Sequence, residues 1–198
     1  MKKLILGSFL LLSIWLFQSC GGNGADNSKD SVVNKDTAAA MRTDTSGSVN
    51  KTKTPVDKDA SEFASKAASG GMMEVELGQM AQQKAVSQRV KDFGAMMVQD
   101  HTAANDDLKS RVSSLNVALP SMVNEEDQKE MDKLSKKQGK DFDKAYMNMM
   151  LDDHKKDVAE FRKAADKCTE PSLKNFASKT LPVLEKHLDS AKAITGKH

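Results

Sequence analysis

From Asp59 onward the apolar residues recur every three or four positions and almost nothing alternates with a period of two, which is the pattern of amphipathic helices. A first helix is predicted from about Asp59 to Ala85, with Phe63, Ala67, Gly70, Met73, Leu77 and Ala81 along one stripe. A second, from about Ser87 to Leu115, carries Val90, Phe93, Met97, Ala104, Leu108, Val112 and Leu115. Pro120 sits in the break that follows, and an acidic first turn with lysines at the far end marks a short helix from about Glu125 to Lys137. The third long helix runs from about Asp141 to Lys167, with Phe142, Tyr146, Met150, Phe161, Ala164 and Cys168 along its face. Pro171 opens the fourth at a first-turn position where proline is tolerated, and Leu173, Ala177, Leu184, Leu188 and Ala191 continue the stripe. Pro182, inside that helix, should kink it by removing one backbone bond.

Four long amphipathic helices with short first and last connections predict an all-α fold, a four-helix bundle of two hairpins with a short extra helix between the second and third long helices. The middle connection, Asn116 to Lys140, is long enough to run the length of a bundle. Both up-down-up-down and crossover topologies therefore stay open.

Ahead of this domain the pattern is different. Lys2 and Lys3 precede an apolar run from Leu4 to Phe17, broken only by Gly7, Ser8 and Ser13, that is too short to cross a bilayer as a helix. The segment 1–19 reads as a signal peptide. Ser19-Cys20-Gly21-Gly22 resembles the cleavage box of bacterial lipoproteins, in which the cysteine becomes the N-terminus and carries the lipid. From Gly21 to Lys58 there is no Leu, Ile or aromatic residue, so this stretch lacks the apolar surface to offset the entropy of ordering it. Residues 20–58 thus read as a disordered tether, spanning about 35 Å as a flexible coil, with lipidated Cys20 at its start and the domain, 59–198, at its end. The expected address is the cell envelope, outer membrane or periplasm, with acyl chains such as palmitate at Cys20 as the contact with the membrane.

Charge and cysteine content narrow the chemistry. The chain of 198 residues has 30 basic and 28 acidic side chains, and loss of the signal with its two lysines leaves a net charge of zero. No basic block occurs in the domain, so nucleic acid is not an expected partner. With Cys20 acylated, Cys168 is the sole remaining thiol and no internal disulfide can form. Cys168 has no histidine near it in sequence and reads as a buried structural thiol. Phosphate-binding glycine loops, serine elbows and Cys-x-x-Cys motifs are absent from the sequence.

What remains is a set of polar residues on apolar faces. At 100° per residue, His101 falls about 30° and His154 about 40° from the centre of their stripes. Asp157 is closer still, and Glu74 and His187 lie about 50° off on their own helices. Glu76 and Glu185 point away, and Asp100 and Asp153 flank. His101 and His154 stand at the midpoints of their helices, and Glu74 and His187 within about one turn, about 5.4 Å of rise, of theirs. Glu74, His101, His154, Asp157 and His187 are therefore expected to meet at mid-bundle. A dry core tolerates such a layer only if its members pair with one another, with water or with a metal.

Two readings follow: a buried hydrogen-bonded layer, or a metal site built from facing helices. Carboxylate with imidazole suits iron, manganese or zinc. Di-iron bundles carry Glu-x-x-His on two helices, whereas the residues three before His101, His154 and His187 are Val98, Leu151 and Leu184. Met97 with His101, and Met150 with His154, each four apart on one face, would suit copper. Around the five candidate ligands, Glu76, Met97, Asp100, Met150 and Asp153 form a candidate surrounding set. His198, the terminal residue, is expected to be solvated.

Glu74-Val75-Glu76-Leu77-Gly78, Met97-Val98-Gln99-Asp100-His101-Thr102, Phe142-Asp143-Lys144-Ala145-Tyr146 leading to Asp153-His154, and Thr180-Leu181-Pro182-Val183-Leu184 with His187-Leu188 follow in order along the domain. This ordered set, covering nearly all of residues 59–195, resembles the bacterial envelope family known as domain of unknown function four-one-four-two. The resemblance implies a ferritin-like bundle and an envelope location, places the family's recurring acidic and histidine positions on Glu74, Glu76, Asp100, His101, Asp153, His154 and His187, and implies no reaction. The first functional expectation is a non-enzymatic envelope lipoprotein whose tethered bundle is an interaction or stress-related module with an unknown envelope protein partner. The alternative is a metal-binding or redox bundle using the central layer.

Overall fold

The computed structural model describes residues 56–196. The signal peptide, Cys20 and nearly all of the tether, along with His198, lie outside the described residues. Five helices account for the domain: α1 (Lys58–Lys84), α2 (Gln88–Val112), α3 (Glu125–Ser135), α4 (Gly139–Lys167) and α5 (Pro171–Thr195). No helix among the described residues is long and apolar enough to cross a membrane.

Each boundary has a local cause. The Asp57 carboxylate accepts from the Ala60 amide at 2.8 Å at the start of α1, and it also accepts from the Thr169 hydroxyl of the α4–α5 turn. Asn124 caps α3 by accepting from the Asp127 amide at 3.0 Å, while its own amides donate to Ser69 Oγ on α1. Pro171 occupies the first turn of α5, where Glu170 caps the Ser172 amide, and Gly196 closes the helix at φ 68°, a left-handed conformation that glycine adopts without a Cβ penalty. α5 continues through Pro182.

The start of α2 is held from outside. Ser87 makes no side-chain cap. Instead the Asp143 carboxylate, buried on α4, accepts from the Val86 amide at 3.0 Å and the Ser87 amide at 2.8 Å. A residue on the third long helix thus fixes the turn between the first two.

The helices form a bundle in which α1 neighbours α2 and α4, and α5 neighbours α2 and α4. Two apolar clusters divide its interior. One gathers Ala85 and Val90 with Phe142, Tyr146 and Ala191, and the other gathers Ala60 and Val112 with Phe161, Ala164 and Leu173. The first end therefore holds the C-termini of α1 and α5 and the N-termini of α2 and α4, so every neighbouring pair runs antiparallel. α2 finishes at the opposite end from the start of α4, and the connection carrying α3 must run the length of the bundle. This decides the topology in favour of the crossover. α3 is laid against α1 and α4, with Met131 and Leu134 buried in the first cluster.

Candidate metal centre

Between the two apolar clusters lies the polar layer. Glu74, His101, His154 and His187, from α1, α2, α4 and α5 respectively, are all buried. Their mid-helix positions bring them to one level, and helical spacing turns them inward.

Each imidazole has one nitrogen held by a partner. His154 Nδ1 donates to the Met150 carbonyl one turn back at 2.9 Å. His187 Nε2 lies 2.8 Å from Asp100 Oδ2. His101 Nδ1 lies 2.9 Å from Glu74 Oε2. These contacts orient the opposite nitrogens toward a common point: His154 Nε2 and His187 Nδ1 are 3.2 Å apart, and one ligand atom from each of the three rings lies within 4.8 Å of the others. Glu74, His154 and Asp157 form a second such group. His101 Nε2 and Glu74 Oε1 are buried without a hydrogen-bond partner. Glu74 Oε1 is 3.4 Å from His154 Nε2, a contact that lacks hydrogen-bond alignment.

The protonation states follow from these contacts. Burial alone would raise the Glu74 carboxyl, but the adjacent His101 and His154 and the His101 hydrogen bond outweigh it and hold the group at about 2. For His101, burial disfavours the cation and the Glu74 carboxylate more than restores it, so its pKa stands above the ordinary imidazole value. Burial pulls His154 down. It also lowers His187, to about 4, against the opposing hydrogen bond from Asp100. With His154 and His187 neutral, His154 Nδ1–H is committed to Met150 and His187 Nε2–H to Asp100. Their facing nitrogens then present two lone pairs to each other at 3.2 Å. Such an arrangement is satisfied by a proton or a cation between them.

The remaining candidates are distributed around the layer. Asp157 is half-buried, and burial together with the charges of Glu74 and Asp153 raises its carboxyl well above the ordinary range, which favours its neutral form. Asp100 is a direct partner of His187. Asp153 pairs with Lys156 at 3.3 Å instead of with an imidazole, and burial raises it to about 6. Glu76 is exposed and takes no part in the layer. Met97 and Met150 are fully buried in the first apolar cluster, and what Met150 offers His154 is its backbone carbonyl. Cys168 is half-buried, not fully buried, and its thiol lies 3.7 Å from the Glu170 carbonyl.

Two participants escape the sequence pattern. Tyr146 is fully buried, its hydroxyl has no partner, and burial together with the Glu74 charge raises its pKa. Its ring stacks on Phe142 and meets Phe93 edge-on, so an aromatic on the apolar stripe reads as core until the missing hydroxyl partner is seen. Asp143 is the other, its cap reaching a turn that lies more than fifty residues earlier.

The family model described as "Domain of unknown function (DUF4142)" matches residues 45–194. The chain belongs to this family. Among curated proteins none matches. Two solved structures share the fold. A DUF305 fragment from Deinococcus radiodurans is similar with a TM-score of 0.63 at 10% identity, over 73% of this chain and 100% of that one. A DUF305 protein from Streptomyces coelicolor gives a TM-score of 0.60 at 15% identity, over 70% of this chain and 93% of that one. At these identities the likeness concerns the helical fold alone.

Proposed function

We propose that this DUF4142 domain binds a single first-row transition-metal ion at mid-bundle, through His101 Nε2, His154 Nε2 and His187 Nδ1, with the fourth position left to a water. The observation that carries the reading is the convergence of one nitrogen from each of the three rings to within 4.8 Å, each on a ring whose other nitrogen is already held. Metal-binding histidines characteristically donate their second nitrogen to a carboxylate or a backbone carbonyl. Here Glu74, Met150 and Asp100 fill those places. Of the two orphaned atoms, His101 Nε2 would gain the ion as its partner.

Three imidazoles with an open fourth position fit zinc or copper(II) better than the harder cations. A di-iron site is disfavoured because the two converging groups bring only Glu74 and Asp157 as carboxylates, where di-iron bundles supply four. Without metal, the second proton of the His101 imidazolium, on Nε2, stands in for the ion. Binding would displace it.

The wider setting also belongs to this proposal. The single lengthwise connection between two antiparallel hairpins is the topology of ferritin-like bundles. A lipidated Cys20 would hold the domain on an envelope membrane through the tether, and the Streptomyces coelicolor relative is provisionally described as secreted. Mass spectrometry of the N-terminal peptide tests the anchor, and an unmodified Cys20 would overturn it.

Elemental analysis of protein purified without a polyhistidine tag tests the metal. One equivalent per chain is expected, and none in a His101→Ala/His154→Ala double variant. Protein that holds no metal and takes up none on titration would leave the layer a purely structural one and return the domain to the interaction-module reading.

A further inference from the structure

A cavity of about 30 Å3 adjoins the polar layer, walled by all four long helices. Glu74 and His101, the two residues with buried, unpartnered atoms, form part of its inner wall together with Asp157. Room for a water molecule requires about 10–15 Å3, so one or two fit. At its outer side stand Lys66 and Glu160, joined across α1 and α4 by an ion pair at 3.3 Å, with side chains 64% and 35% exposed. The same two side chains line a surface groove of about 510 Å3. They thus stand between the groove and the inner cavity.

Gly70 and Gly71 on α1 also line the cavity. Glycine within a helix costs about 1 kcal/mol relative to alanine, so two in succession require a reason. Packing supplies one for Gly71, where a Cβ would sit 2.2 Å from Asn105 Oδ1. At Gly70 a Cβ would meet nothing within 4 Å. What a side chain there would occupy is space beside the cavity.

We infer that this cavity is the passage by which a divalent cation reaches the three imidazoles, with the Lys66–Glu160 pair as its outer gate and Gly70 keeping it clear. The inference rests on the metal-site reading and adds to it a route. An ion entering from the groove parts two partly exposed side chains that are held only by a surface pair, which is weak. It then meets Glu74 and His101 before the more deeply set His154 and His187.

Cobalt(II), followed by its ligand-field absorption in stopped-flow mixing with the metal-free full chain, separates route from site. Gly70→Leu is expected to slow association about tenfold or more while the final absorbance still reports one ion per chain. Gly70→Ala should load at nearly the wild-type rate. The Lys66→Gln/Glu160→Gln double variant, which keeps the net charge, should load faster. Wild-type rates in both Gly70→Leu and the gate variant would overturn the passage while leaving the site intact. If Gly70→Leu does not fold, the gate variant alone decides, and a rate equal to wild type overturns the passage. A wild-type chain that takes up no cobalt(II) overturns the metal site and the passage together.

Discussion

At the residue scale, the layer joins groups that are pulled in opposite directions by one environment. Burial disfavours charge at Glu74, His101, His154, His187 and Asp157 alike; pairing outweighs it at the 2.9 Å Glu74–His101 contact, whereas at His187 burial prevails over the 2.8 Å contact with Asp100. The domain therefore carries one buried ion pair, two neutral imidazoles and one neutral carboxylic acid. Asp157 has a consequence for stability. Its folded pKa is raised above the unfolded value, so at neutral pH folding requires the carboxyl to bind a proton that the unfolded chain has released, and that cost disappears below about pH 4. Asp157→Asn should stabilise the domain at pH 8 relative to its effect at pH 4, by roughly 1 kcal/mol or more, as read by urea denaturation at the two values; equal effects would contradict a neutral Asp157. His187 runs the other way. Its folded pKa of about 4 lies below the unfolded value near 6.5, so its contribution falls as pH drops from 6.5 to 4, and an NMR titration should find the ring still neutral at pH 5. Of this, the residue types and their shared level could be inferred from helical angles. The division of roles could not, because it depends on which nitrogen faces which oxygen.

At the scale of elements, the stripes of apolar residues foretold five helices, and the ends fall within a few residues of expectation because Asp57, Asn124 and Pro171 signal them locally. The path of the chain between Val112 and Gly139 was not legible. Its length allowed two topologies, and the choice rests on which helix ends gather in the same apolar cluster, which no local pattern encodes. Contact between α1 and α2 depends on a pair of glycines. A Cβ on Gly78 would lie 2.6 Å from the Gly94 carbonyl oxygen and 3.0 Å from Val98 Cγ2, so Gly78→Ala should cost about 1–3 kcal/mol by forcing the helices apart. Gly70→Ala, into open space, should instead raise stability by about 0.4–1 kcal/mol. Thermal melts of the two variants with the wild type form a matched comparison, and a destabilised Gly70→Ala would mean that the cavity is narrower than described. Asp143→Ala removes the partner of two amides at the head of α2 and should cost about 1–2 kcal/mol, with hydrogen exchange accelerated first at Val86 and Ser87.

At the scale of the whole molecule, the bundle is two apolar clusters around a polar layer contributed by all four long helices. Such a layer is a poor source of stability, since buried ionic groups lose more in desolvation than apolar residues of similar volume would. Its retention is accounted for if the layer binds something. A cation between His154 and His187 removes the opposed lone pairs and replaces the proton on His101 Nε2, so affinity should rise about tenfold per pH unit below the His101 pKa as that proton is displaced. X-ray absorption on the zinc- or copper-loaded chain tests this claim most directly. The predicted first shell is three imidazole nitrogens and one water oxygen at about 2.0–2.2 Å, with the imidazole signature lost in the His101→Ala/His154→Ala variant. A chain that retains no metal, or one whose metal shows no imidazole scattering, would contradict it.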